Sequence, residues 1–262
     1  MTSIETQPRS VSQTEQWEKC GHRYYLQRIE RVTPLPAAWS FHGTAFHSAA
    51  EAFERSDRQM TAEEAVTLFS DQYAVGVNRA LGQEPNTDLW LSASGSGGDD
   101  IERRYVLGQQ QTAEYVRWAQ EYQPAIWAVP GKEEKPALEL YFKVEIGGVQ
   151  VRGYIDQLIE EAANLVRVRD LKTGSTKSRF QLETYAVAMR LLHGLTVQSG
   201  DWYLAAKGGL SRRVDLSQVT VEQVGERYAA MDAGVRAGTF KPSPGFLCRF
   251  CDVHHACSFY RK

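Results

Sequence analysis

The stretch VRVRDLKTG, residues 166–174, decides the fold and also raises a chemical question. Its side chains alternate as those of a β-strand do, because successive residues of a strand point to opposite faces of a sheet. This alternation places Asp170 and Lys172 on the face that also carries Val166 and Val168. Burying a lone carboxylate or ammonium group is costly unless the group is paired or binds a metal. The strand is therefore expected to end in either a structural ion pair or a functional site.

The composition is that of an ordinary globular protein. The chain has 262 residues, of which 42% are hydrophobic and 24% charged, enough for one large domain. The net charge of −2 excludes a globally basic nucleic-acid-binding protein, so any contact with DNA would need a local patch. Because the N-terminus is polar, we expect no signal peptide, and no apolar run is long enough to span a membrane. We expect a cytoplasmic location.

The first half of the chain is predicted to be helical. Capping-box patterns at Ser12–Glu15 and Thr61–Glu64 precede helices, the first of which is expected to run through QWEKCGHRYYLQRI, residues 16–29. GTAFHSAAEAFERS, residues 43–56, predicts another helix. Residues 82–100 are rich in Gly, Ser and Asp and predict a mobile loop, which a helix over about 100–122 follows.

The second half alternates as strands do. Two alternating runs flank a turn at Gly147–Gly148 and predict a hairpin. They are followed by the strand in residues 166–174, a helix, a further hairpin and a last helix. The predicted class is mixed α/β (α+β), with a central mixed sheet flanked by helices and a helical N-terminal lobe. We expect a single domain over 1–262: a helical lobe at about 10–130, a core at about 135–240 and a cysteine-containing tail at about 241–262.

A second acid lies on the strand that precedes the opening stretch. Asp156, in GYIDQLI, shares its face with Tyr154 and Leu158, and Gly153 could let a backbone or a ligand approach. Carboxylates at the ends of two adjacent strands are hard oxygen ligands suited to Mg²⁺ or Mn²⁺. A lysine beside such ions could orient a water molecule or stabilise a phosphate transition state.

These residues resemble a known family. GYID, residues 153–156, and DLK, residues 170–172, are similar to motifs II and III of the PD-(D/E)xK nuclease superfamily. QLETY, residues 181–185, resembles the Q-x-x-x-Y motif of its RecB-like branch, and GTAFHSAAE, residues 43–51, resembles that branch's helical motif. The resemblance implies a restriction-endonuclease-like sheet and makes the histidine of the helical motif, His47, a metal ligand.

The four cysteines extend the resemblance. CRFCDVHHAC, residues 248–257, has C-x2-C-x5-C spacing, and Cys20 stands 228 residues before it. Four thiolates suit either zinc or a [4Fe–4S] cluster. The layout is similar to that of RecB-like iron–sulfur exonucleases, which include the AddB nuclease domain and CRISPR-associated exonucleases. It implies a structural [4Fe–4S] cluster on Cys20, Cys248, Cys251 and Cys257.

The function implied by the resemblance is a metal-dependent DNA nuclease, an exonuclease on DNA ends or single strands, in repair or recombination. A helicase or a CRISPR-adaptation protein would be its partner. The implied metal ligands are His47, Asp156, Asp170 and the Leu171 carbonyl. The implied catalytic residues are Asp156, Asp170, Lys172, Gln181 and Tyr185. Glu139 is a further candidate, although the alternation places it with Tyr141 and Lys143, opposite apolar side chains. The alternative is a non-catalytic iron–sulfur DNA-binding module that assists a helicase or integrase.

Overall fold

The computed structural model describes residues 7–131, 135–174 and 178–260. Within these ranges the chain forms seven α-helices and eight β-strands, together with short 3₁₀ turns and a π-helical turn at Tyr25–Ile29. The helices are α1 (Val11–Lys19), α2 (Gly21–Tyr24), α3 (Ala38–Arg55), α4 (Ala62–Gln83), α5 (Gly97–Tyr122), α6 (Arg179–His193) and α7 (Val221–Arg236). The strands are β1 (Ala128–Val129), β2 (Lys135–Pro136), β3 (Leu138–Ile146), β4 (Val149–Ala162), β5 (Leu165–Lys172), β6 (Thr196–Leu204), β7 (Gly209–Leu210) and β8 (Val214–Asp215).

The main sheet is mixed, as predicted. Its order is β3-β4-β5-β6-β7, with β8 also paired to β6. Strands β3, β4 and β5 are joined as an antiparallel meander, whereas β6 runs parallel to β5 after the crossover through α6. Parallel neighbours need such a crossover, because a short turn can join only antiparallel strands. The opening stretch, β5, therefore lies in the middle of the sheet.

Helices cover both faces of the sheet. One apolar core joins the sheet to α6 and α7 and contains Val166 and Val168. A second core joins α3, α4 and α5 to the other face and contains Leu171. The alternation read from the sequence is thus correct, and both faces of β5 are buried. None of the described helices has the length and apolarity that a membrane crossing requires.

Two helix starts differ from the prediction. Ser10, not Ser12, caps α1, because its Oγ accepts a hydrogen bond from the backbone N–H of Gln13. Arg9 pairs with Val151 of the sheet, which keeps the chain extended up to Ser10. Helix α5 begins at Gly97, with Ser96 and Asp99 as its capping box. Part of the predicted loop is therefore helical.

The first predicted helix is broken at Cys20. This residue has an extended backbone, with φ −159° and ψ 100°, and it separates α1 from α2. Gly21 lies against the backbone of Phe240 and Lys241, where a Cβ atom would come within 2.8 Å of the Lys241 nitrogen. The break thus lets the start of α2 pack directly on the C-terminal tail.

Candidate metal centre and cleft

The sheet register brings the two predicted acids together. Gln157 of β4 pairs with Arg169 of β5, so the next residues, Asp156 and Asp170, lie side by side. Both are buried, with 7% and 1% of their surfaces exposed. The Oδ2 atom of Asp156 accepts a hydrogen bond of 2.6 Å from the backbone N–H of Leu171. Asp170 thus lies near the end of β5, whereas Asp156 lies in the middle of β4, because β4 continues past the end of β5 to pair with β3. The prediction that both acids lie at strand ends is therefore wrong for Asp156.

Helix α3 adds a histidine to this edge of the sheet. Phe46, which is fully buried, anchors the helix in the second core, and its neighbour His47 points to the strand ends. His47 Nε2 lies 3.1 Å from the carbonyl oxygen of Leu171, and Nδ1 lies 3.6 Å from Asp156 Oδ2. The helix and the two strands therefore converge on one point.

Glu139 completes the group. The sequence indicated this residue only as a further candidate. Its Oε1 atom lies 3.1 Å from His47 Nδ1. The strand register places Glu139 opposite Asp156, between the pairs Leu138–Gln157 and Leu140–Ile155. Glu139 has a left-handed φ of 44°, which an alternation pattern does not reveal. The sequence correctly placed Glu139 on the face of Tyr141, opposite the apolar residues. That face carries Glu139 next to His47 and is therefore part of the site.

The donor set fits a hard divalent cation. One ligand atom from each of His47, Glu139 and Asp156 lies within 4.8 Å of the others, the one such group found among the described residues. Carboxylate, carbonyl and imidazole donors together suit Mn²⁺ or Mg²⁺. Asp170 stands outside this group and pairs instead with Lys172, whose Nζ atom lies 2.9 Å from its Oδ2 atom.

A hydrogen-bonded chain extends from Lys172 into α6. Lys172 Nζ donates to Asp170 Oδ1 and to Gln181 Oε1, each at 3.1 Å. Gln181 Nε2 in turn donates to the hydroxyl of Tyr185 at 2.6 Å. The sequence predicted that Gln181 and Tyr185 share one face of the helix, because they are four residues apart. On that face Tyr185 holds the Gln181 side chain, which in turn orients Lys172.

The buried charges shift one another's protonation. Burial lowers the pKa of His47, but the carboxylates of Asp156, Glu139 and Asp170 outweigh it and raise the pKa to about 9. Burial raises the pKa of Asp156 to about 7; Asp170 and Glu139 add to the rise, and His47 opposes it. Burial also raises the pKa of Asp170, against the effect of Lys172. The carboxylates repel one another, which favours a bound cation.

A cleft of about 1170 Å³ opens over these residues. Leu171, Lys172 and Gln181 line its floor, and Tyr141, Arg152 and Tyr154 line one wall. The sequence did not single out this wall, although the period-two pattern of β3 and β4 contains it. A Cβ atom at Gly153 would come within 2.8 Å of the Phe142 ring, so this glycine makes room for a core ring and not for a ligand.

The cysteines lie at the junction of the N- and C-terminal segments. Cys20, Cys248, Cys251 and Cys257 are all free and half-buried. Arg23 binds Asp252 through an ion pair of 3.0 Å, and the ring of His22 contacts that of Phe259 at 4.9 Å. Burial raises the pKa of the Cys251 thiol, and the proximity of Cys20 contributes to the rise. Residues at least 229 positions apart in sequence are thus held together.

The comparisons with known proteins agree with this architecture. The family model of the PD-(D/E)XK nuclease superfamily matches residues 8–258. The Gene 69 protein of Mycobacterium phage L5 is 35% identical over 281 residues, covering 97% of each chain, and that of phage D29 is 38% identical over 272 residues, covering all of both. The crystal structure of a "Putative exonuclease" from Eubacterium rectale superposes with a TM-score of 0.52, at 11% identity, over all of this chain and 95% of that one. The structural likeness shows a shared fold.

Proposed function

The chain belongs to the PD-(D/E)XK nuclease superfamily, and from that premise we propose that it is a metal-dependent DNA exonuclease acting on DNA ends or single strands. One observation carries the proposal: the His47–Glu139–Asp156 group stands beside the Asp170–Lys172 pair, and His47 and Lys172 both line an open cleft. A metal group alone could be structural, and an ion pair alone could stabilise a strand. Their adjacency supports phosphodiester hydrolysis.

His47, Glu139, Asp156 and the Leu171 carbonyl would hold the divalent ion, with Asp170 available to a second. When bound, such an ion lowers the pKa of water and offsets negative charge on the phosphate. The two His47 ring nitrogens face Glu139 and Leu171, so the ring must lose a proton and shift partners to bind metal.

Lys172 would orient the attacking water molecule and stabilise the charge that develops on the phosphate. Its ammonium group is fixed by Asp170 and Gln181 and needs little rearrangement to act. Tyr185 would act through Gln181 as a positioning residue. Its hydroxyl accepts a hydrogen bond from the Gln181 amide, and the same amide accepts one from Lys172. A binding module without catalysis has no need of this chain of contacts.

We further propose that the four cysteines bind a structural [4Fe–4S] cluster, as in the RecB-like iron–sulfur branch. All four belong to the described residues and are half-buried. The Arg23–Asp252 ion pair and the contact between the rings of His22 and Phe259 hold the segment after Cys20 against the tail that carries the other three cysteines. This packing supports a group shared by both segments, which would join α2 to the tail in one nuclease domain. A helicase or a CRISPR-adaptation protein stays the expected partner.

The test is digestion of end-labelled single- and double-stranded DNA, with either end blocked, in Mg²⁺ and in Mn²⁺. An exonuclease should release mononucleotides or short products and should stop at a blocked end, whereas internal fragments would indicate an endonuclease. Asp156→Asn is the matched inactive control. Parent protein that binds DNA and cleaves none in either metal would favour the non-catalytic module instead.

A further inference from the structure

The outer face of the β3–β4 hairpin carries three successive cross-strand pairs. Tyr141 pairs with Tyr154 and Lys143 pairs with Arg152. Glu139 lies opposite Asp156 at the metal group, because the flanking pairs are Leu138–Gln157 and Leu140–Ile155. Because side chains alternate along each strand, residues two apart share a face. The face therefore presents, in order, a carboxylate pair, an aromatic pair and a basic pair.

The aromatic pair is open to solvent beside the metal group. Tyr141 and Tyr154 are 49% and 56% exposed, with ring centroids 5.2 Å apart and planes inclined by 55°. Tyr154 lines the main cleft and also a second depression that it shares with His47 and Glu139. Ring faces remain available for stacking, and aromatic rings that stack on bases are a common means of holding single strands.

The basic pair juxtaposes two like charges. Lys143 and Arg152 are both exposed and directly opposite each other, an arrangement that destabilises a sheet. Neither makes an ion pair within 4.0 Å in the part of the chain that the structure describes. An anion between the two side chains would remove the repulsion and provide the missing partner.

The spacing of the three pairs matches a nucleic-acid strand. Pairs two residues apart along an antiparallel strand lie about 6.8 Å apart, twice the 3.4 Å rise of a stacked strand. That is the separation of neighbouring nucleotides with one ring inserted between their bases. A duplex, whose bases are already stacked and paired, does not offer this geometry without local opening.

We propose that this face, which we call the ladder face (Glu139, Tyr141, Lys143, Arg152, Tyr154 and Asp156), is the track of one single strand of DNA. The inference rests on the proposed nuclease function and extends it to the substrate class. The scissile phosphate lies at the carboxylate pair, the adjacent base stacks on the tyrosine pair, and the phosphate two nucleotides further along binds between Lys143 and Arg152, about 13.6 Å from the carboxylate pair.

The test combines changes in the DNA with changes in the protein. Parent protein is given single-stranded oligonucleotides with one abasic site moved along the strand, and binding is measured by fluorescence anisotropy. An abasic site at one position near the cleaved bond should weaken binding by about 5- to 150-fold, the range for one base stacked on an aromatic ring. In Tyr154→Ala the same abasic site should cost nothing further, because the stacking partner is already gone.

Control variants separate stacking from folding. Tyr154→Phe keeps the ring and should bind like the parent, and Tyr105→Ala removes an exposed tyrosine of α5 that lines none of the cleft. For the basic pair, Arg152→Ala should lower the slope of log affinity against log salt by about 0.7. Arg79→Ala removes an exposed arginine of α4 and should leave the slope unchanged.

The outcomes distinguish the two proposals. If all abasic positions are equivalent in the parent, or if Tyr154→Ala binds single strands as the parent does, the ladder face is not the track. Equal loss of duplex and single-strand binding in Tyr154→Ala would likewise overturn it. If position-specific binding is present but no DNA is cleaved in either metal, the nuclease proposal fails and the ladder face stands as a binding track.

Discussion

Replacing Lys172 by methionine tests the centre of the proposed chemistry. The change keeps an unbranched side chain of nearly the same length and removes its charge, which leaves Asp170 and Gln181 without the ammonium group that joins them. Lys172 is 25% exposed and Asp170 1% exposed. Breaking a buried ion pair costs about 3–5 kcal/mol, and we expect the lower end because water reaches the lysine and Asp170 can take up a proton.

The expected effect on the reaction is larger than on binding. Loss of a preorganised charge at the reacting phosphate lowers the rate of the chemical step by about 10²- to 10³-fold, or roughly 2.7–4 kcal/mol in the barrier. DNA affinity should change only a few-fold, because a single phosphate contact contributes modestly. A protein with about 5–15 kcal/mol of stability stays folded after the loss.

Arg58→Met is the matched control. Arg58 is 21% exposed and binds Glu54, which is 1% exposed, at 2.8 Å, so that pair has almost the same burial and distance as the Lys172–Asp170 pair. It lines no part of the cleft. Both variants should lose a similar free energy of unfolding in urea titrations, but only Lys172→Met should lose single-turnover cleavage at saturating DNA. A Lys172→Met rate within about threefold of the parent would refute the catalytic role and leave a structural ion pair.

Three further predictions concern the metal group and the cysteines. Glu139→Gln should weaken Mn²⁺ binding by at least about tenfold in calorimetry, whereas Glu145→Gln, on the exposed part of the same strand, should not; equal affinity in both would exclude Glu139 as a ligand. Mn²⁺ affinity should rise as the pH rises from about 7 to about 9, with proton release, because Asp156 and His47 must deprotonate. Since both folded-state pKa values are raised, the metal-free protein should lose stability as the pH increases towards 9; a flat profile in both measurements would contradict this. Protein purified without oxygen should be brown with about four irons per chain, and Cys20→Ser should bleach it; colourless parent protein with stoichiometric zinc would refute the cluster.

The sequence by itself determined the core of the sheet and three of the residues at its edge. Alternation is a local property, and the pattern around Asp156, Asp170 and Lys172 was sufficient to place them on adjacent strands, although Asp156 lies in the middle of β4 and not at its end. Capping at Thr61 was predicted for the same reason, since the box lies within four residues. The start of α1 was misplaced because Ser10 and Ser12 fit similar patterns, and only the pairing of Arg9 with the sheet distinguishes them.

The tertiary structure decided which side chains complete the group. His47 and Glu139 are 92 residues apart and meet only because α3 packs across the end of β3. The left-handed backbone of Glu139 is an individual conformation that no periodicity encodes. The ladder face likewise depends on the register between β3 and β4, which sets Tyr141 against Tyr154 and Lys143 against Arg152. Sequence periodicity specifies the face of each strand, whereas the partner across the sheet is fixed by the packing of the whole chain.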